Sequence, residues 1–183
     1  ARSRRPGSPM IRPVSAEDLL RGTREAAAAG NVRDAVRDLA LHALRSRPLT
    51  AAHVATVARA VGEGIASCDV PPTAPVRDAH RGAWAGLEDA VGRALLAMEL
   101  AAREFAEGRA ALGGAERERL VAELVRLDRE LGEGWGYARA IPPPLRARID
   151  SAAALLREAP ACGDGAGDTL SLVASGVLLG LSR

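Results

Sequence analysis

Between about Pro75 and Ala111 the sequence sets Trp84, Val91, Met98 and Phe105 at intervals of seven residues, with Leu87, Ala94 and Ala101 in the companion positions. A seven-residue apolar repeat keeps one seam of a helix turned toward a partner helix. This seam is bulky along one edge and small along the other, so a neighbour has to come close to fill it. The same constraint runs through the chain. Alanine supplies 39 of the 183 residues, whereas Phe, Tyr and Trp together supply four. A buried alanine removes far less apolar surface from water than a leucine or phenylalanine, whose burial is worth roughly 1.5–3 kcal/mol, although it loses almost no side-chain entropy. Helix is strongly favoured and each contact gains little. Order therefore has to come from bringing helical backbones near one another.

The rest of the chain reads with the same period, and no run sustains apolar/polar alternation. Ser15 caps a helix whose third residue is Asp18, and Gly30 ends it. Asn31 starts a second helix, with Val32, Val36, Leu39 and Ala43 on one face and Pro48 beyond its end. Thr50 caps a third, with Leu49 and Val54 placed as a hydrophobic staple and Val54, Val57, Val61 and Ile65 as its stripe. "SCDVPPTAP" breaks the chain before the long helix. Gly113 and Gly114 mark a turn into a helix carrying Leu120, Leu124, Leu127 and Leu131, whose other face alternates charge and offers pairs such as Arg126 and Glu130 at i, i+4.

In "LGEGWGYARAIPPP" (131–144) the apolar stripe continues from Leu131 to Trp135 and Ala138 through Gly132, Gly134 and Gly136. Helix is expected to about Arg139, ended by Pro142 to Pro144, the alternative being an irregular aromatic loop, with close helix crossing offsetting the roughly 1 kcal/mol that each glycine costs relative to alanine. "VGEGI" at 61–65 repeats the device. A further helix bears Leu145, Ile149, Ala152 and Leu156 and closes at Pro160, "CGDGAGD" is a flexible link, and Asp168 caps a last apolar helix. The expected fold is all-α, an elongated bundle of six or seven helices built on a long central antiparallel hairpin of helices 75–111 and 115–140. Residues 1–14 are expected to form a disordered basic arm, with 1–9 a tag or upstream remnant ahead of Met10, and residues 15–183 a single helical domain.

Charge and composition exclude several classes. All 25 basic residues are arginine, as GC-rich coding gives, and taking away the three in residues 1–9 turns the net charge from +2 to 2 − 3 = −1. The body is not a basic surface. "LTAAHVATVARAVG" keeps its apolar period through the place where a helix-turn-helix would turn, and no aromatics interleave with basic residues to stack on single strands. No nucleic-acid partner is expected. The apolar stretch "TLSLVASGVLLGL" has 13 residues, short of the about 20 that span a bilayer. With no apolar signal core after the basic start, Cys68 and Cys162 are expected as free thiols in the cytoplasm.

No constellation of acid, base and nucleophile stands out, and neither an enzyme nor a cofactor is expected. None of His42, His53 and His80 has a glutamate three residues before it, so a di-iron bundle pattern is missing and these histidines read as structural or surface groups. "CGDGAGD" follows no strand and precedes no lysine, Asp164 and Asp168 would repel a phosphate, and one turn offers too few carboxylates for calcium. Glycines spaced by four at Gly82/Gly86, Gly132/Gly136 and Gly176/Gly180 read as helix-packing positions.

"VRDAVRDLALHAL" and "VARAVGEGIA" near the front, with "LVASGVLLGL" at the end, resemble an uncharacterised family of alanine-rich, all-helical bacterial proteins catalogued as a domain of unknown function. The resemblance spans most of residues 15–181, implies an all-helical fold and brings no catalytic residue with it. A looser likeness, of style rather than motif, is to phasins, helical proteins that coat polyester granules. The function expected is that of a non-enzymatic structural or interaction protein that self-associates, or binds a helical partner or a peripheral apolar or lipid surface, through alanine- and glycine-rich helix faces. The alternative is a small-molecule or cofactor-binding bundle with Trp84, Trp135 and Tyr137 lining the pocket.

Overall fold

The computed structural model describes residues 15–27, 30–68, 74–134, 141–160 and 169–181. The chain is all-α. Among the described residues it forms seven helices: α1 (Ala16–Ala27), α2 (Val32–Arg45), α3 (Ala51–Ala66), α4 (Ala74–Ala106), α5 (Gly114–Gly134), α6 (Pro143–Glu158) and α7 (Thr169–Gly180). Their starts follow local chemistry. The Asp18 N–H donates to Ser15 Oγ at 3.1 Å while the Ser15 hydroxyl donates to the Asp18 carboxylate at 2.7 Å, so each residue satisfies the other at the head of α1. Asn31 accepts from the Asp34 N–H, and Thr50 from the His53 N–H at 3.1 Å. Pro143 opens α6 at the first helical position, where the missing N–H has no partner to lose.

The end of α4 differs from the expected Ala111. Gly108 adopts φ +70°, its N–H donates to Phe105 O at 3.0 Å and the Arg109 N–H donates to Glu104 O at 2.9 Å. That pair of bonds closes a helix through a left-handed residue, which glycine adopts without strain. The helix stops at Ala106, and the chain needs a further stretch, not a tight turn, to reach Gly114. The helical continuation expected through Trp135 to Arg139 lies outside the described residues.

A single core of buried side chains draws on all seven helices. In α4 the heptad residues Leu87, Val91, Ala94, Met98, Ala101 and Phe105 are buried, and so are Ala83, Ala90 and Ala97 beside them. The buried band is wider than one seam, and α4 accordingly packs against α2, α6, α7 and α3. This changes the pairing expected of the two long helices. The neighbours of α5 are α3 and α6, so α4 and α5 stand diagonally, with Met98 on one side and Leu120 and Leu124 on the other lining the same small gap in the core. Helix α3, buried on most of its circumference from Ala51 to Ile65, takes the inner place.

Two crossings are set by glycine. A Cβ on Gly86 would strike the Arg33 carbonyl oxygen and lie 3.0 Å from Arg37 N, so α4 rests directly on the backbone of α2. One turn along, Arg33 holds Asp89 through two bonds of 2.8 and 3.1 Å. A Cβ on Gly64 would lie 2.8 Å from Thr23 Cβ, where α1 crosses α3. Between α4 and α6 the tie is polar: Glu99 accepts from Ser151 Oγ at 2.8 Å and from Arg148 at 3.1 Å.

Gly86→Ala is expected to destabilise the fold by about 2–3 kcal/mol, because backbone cannot yield to the added methyl. Gly132→Ala, whose Cβ would meet nothing within 4 Å, should stabilise by up to about 1 kcal/mol through helix propensity. Urea midpoints of the two variants check both signs. A second expectation concerns His53, which is half-buried with Nε2 3.1 Å from Ala43 O. Burial, with help from the positive charge of Arg47, holds its pKa below the ordinary 6.5. The unfolded chain then binds the proton more readily, so the stability this histidine contributes is present above that value and is lost as pH falls below it. Between about pH 7 and pH 5 the wild-type urea midpoint should fall more steeply than that of His53→Gln; parallel curves would refute the assignment.

Candidate functional site

Helix α7 contains no charged residue from Thr169 to Gly180. Leu170, Ala174 and Leu178, spaced by four, are buried and face α4. The opposite side is also apolar. Leu172 is 67% exposed and Leu179 54% exposed, with exposed Gly176 and Gly180 on the same side. A helix that is apolar all round is ordinarily buried all round; here one face is covered and the other is open. Leu181, just past the helix, is exposed too.

The rotation of α7 is fixed by a polar contact. The Leu49 N–H, in the connection between α2 and α3, donates to Ser175 Oγ at 2.9 Å, and that hydroxyl donates to Ser171 O at 2.6 Å. Leu49 itself is buried, so its N–H has no recourse to bulk water.

A second concavity, of about 330 Å³, lies between the start of α3 at Thr50, Ala51 and Ala52 and the outer face of α5. Its polar wall consists of Arg119 with Glu123 at 3.3 Å and Arg126 with Glu130 at 2.7 Å, the latter being the pair the spacing predicts. Each guanidinium has a carboxylate beside it. The wall therefore offers no net charge to a ligand, and exposed pairs of this kind contribute little.

The structure separates the residues singled out from sequence. Trp84 is half-buried and meets His80, one turn earlier on α4, edge to face with ring centroids 6.3 Å apart; it lines neither the concavity on α5 nor the gap at Met98. Trp135 and Tyr137 lie outside the described residues, as do Gly136, Cys162, Asp164 and Asp168. Of the glycines, Gly86 lies against α2 backbone, Gly82 is 3.8 Å from Arg33 N as measured from the Cβ it lacks, and Gly132, Gly176 and Gly180 face open space. The tight contact at Gly64 is signalled by "VGEGI" but not by a four-residue glycine spacing. His42 is exposed, and Cys68 is a free thiol that donates to Gly64 O. Among the described residues no three His, Cys, Asp or Glu side chains gather where they could hold a metal ion, and no helix is long and apolar enough to cross a membrane.

These features define an all-helical bundle bearing one uncharged helix with an open apolar face. The chain belongs to a family of unknown function (DUF6781), whose sequence profile matches residues 12–135, from α1 through α5. No curated protein and no solved structure matches it.

Removing the hydroxyl in Ser175→Ala leaves the buried Leu49 N–H without its acceptor, which should destabilise by about 1–3 kcal/mol. Hydrogen exchange should quicken first at Leu49 and along α7, and unchanged exchange there would show that the contact does not hold the helix.

Proposed function

We propose that this chain is a non-enzymatic interaction protein of the cytoplasm that docks through the outer face of α7. The observation that carries the reading is the exposure of Leu172 and Leu179 on a helix with no charged residue. Leaving each side chain in water forgoes roughly 1–2 kcal/mol of burial, and the two lie on one face with two glycines that permit close approach. Scattered single leucines on a surface need no explanation, whereas an aligned apolar stripe is the usual mark of a contact surface. The free thiol of Cys68 accords with a reducing compartment.

The test is a comparison of the wild-type chain with Leu172→Glu/Leu179→Glu on an octyl-substituted matrix. Both positions are exposed, so the variant should keep its helix content by far-UV circular dichroism. Wild type is expected to be retained several-fold longer than the variant; coincident elution would overturn the proposal.

A further inference from the structure

We propose that His53 is a proton-sensitive latch: as a neutral ring it fastens the head of α3 to the tail of α2, and on taking a proton in mildly acidic solution it frees the connection between them, and α7 with it, while the rest of the bundle stays folded. The device goes beyond the docking reading and does not depend on what the outer face of α7 meets. It begins at one oxygen. Ala43, 1% exposed, offers its carbonyl to the Ser46 N–H at 3.1 Å, to the Ser46 hydroxyl at 2.7 Å and to Nε2 of His53 at 3.1 Å. The serine bonds are local and secure only the end of α2. The imidazole bond comes from α3 and closes the two helices on each other. A carbonyl cannot donate, so the neutral ring carries its proton on Nε2 and leaves Nδ1 bare.

Helix α7 holds the same connection from another side. Leu49 lies between Ser46 and His53, is 1% exposed, and gives its N–H to Ser175 Oγ at 2.9 Å. The stretch around it is braced: Pro48 O accepts from the Thr50 N–H at 3.0 Å, and Thr50 Oγ accepts from the His53 N–H at 3.1 Å. A displacement of the ring from Ala43 is thereby passed to Leu49, and from Leu49 to α7. That helix is the element placed to respond, being 12 residues long, uncharged, and with α4 and α2 as its neighbours. Opening free energies within one protein range from near zero to the global value, and a short helix with few neighbours belongs to the low end.

Protonation gives the ring a second N–H and a full charge. Burial opposes that charge most and Arg47 in the connection opposes it too, while the Ala43 and Leu44 carbonyls of α2 favour it without restoring the balance, so the pKa of His53 lies below the ordinary 6.5. In the last turn of α2, His42 is exposed and Arg45 is a cation, so neither relieves it. The acids of the neighbouring helices are turned elsewhere. Glu123 and Glu130 of α5 pair with Arg119 and Arg126 in the concavity at Thr50, Ala51 and Ala52, which His53 does not line. On α4, Glu99 accepts from α6 and Glu104 from Arg109. Arg24 of α1 meets α3 at its far end, on Ser67, and α7 brings no charge. The opened ring takes its proton near 6.5 and the closed ring only below that, so opening gains as pH falls through 6.5, by up to about tenfold at pH 5.5.

Hydrogen exchange of the full chain at about pH 7 and about pH 5.5, each corrected for the intrinsic chemical rate, reads the latch. At the lower pH the open population at Leu49 and along α7 is expected to rise several-fold, by up to about tenfold, while α4 from Leu87 to Phe105 changes by less than about twofold. His53→Gln, whose amide keeps a donor for Ala43 O but takes no proton, should flatten the response. Arg47→Gln, on the exposed part of the connection, should shrink it, and so keeps the latch testable should the histidine variant misfold. By NMR the His53 ring should titrate below 6.5. An α7 whose exchange follows pH as strongly in both variants as in wild type overturns the latch. A rise shared equally by α4 also overturns it, because that marks global unfolding, as does an α7 indifferent to pH while the ring titrates, or a ring that titrates at or above 6.5.

Discussion

The approach of α4 to the backbone of α2 at Gly86 is the contact on which the rest of the bundle depends. Alanine side chains are short, and dispersion attraction fades within a fraction of an ångström beyond contact. Native packing density between alanine-rich faces is reached only when the helix axes themselves draw together. Gly86 lets this happen by having no Cβ to collide with Arg33, and the Arg33–Asp89 bond sets where along the groove the two helices meet. With α2 seated there, Ala83 and Ala90 are covered on one side of α4, and the wide band on its other side is left for α6 and α7. The Gly64–Thr23 crossing applies the same device to α1 and α3, and encloses α3.

Much of this was legible. The heptad positions from Leu87 to Phe105 form the buried face of α4, and the caps at Ser15, Asn31 and Thr50 mark the starts of α1, α2 and α3. These signals are local: a period fixes a face, and a short polar side chain fixes a helix start. The pairing of α4 with α5 was not legible, because adjacency in sequence implies adjacency in space only when the connection is short. The left-handed Gly108 ends α4 early and gives α5 enough chain to reach the far side of the core, whereas Gly113 and Gly114, more conspicuous in the sequence, lie at the end of that connection and at the head of α5. A glycine says where a helix can stop, and only tertiary packing decides which of several glycines stops it.

The glycine pairs make the same point. Gly82/Gly86 and Gly176/Gly180 share one spacing, yet the first pair lies along α2 and the second faces open space. Spacing specifies that a close approach is available on that face. It does not specify what approaches, because the partner's shape is encoded elsewhere in the chain or outside it. The open apolar face was therefore foreshadowed by the apolar character of residues 169–181, while its limits were visible only once α4 had covered Leu170, Ala174 and Leu178.

That covering raises a question of selection. Leu170, Ala174 and Leu178, with Val173 and Val177 packed beside them, make the inner side of α7 the more apolar one, and burial, which is proportional to area, favours the observed rotation without fixing its exact angle. A directional interaction has to choose. The Leu49 N–H emerges from the connection between α2 and α3 at a place shut off from water, and only the observed rotation brings Ser175 Oγ within 2.9 Å of it. Turning α7 over would uncover Val173 and Val177 and also strand that donor, which alone is a penalty of about 1–3 kcal/mol. Burial and one serine thus act together in presenting Leu172 and Leu179 outward, the serine adding direction to a preference that apolar area alone leaves loose.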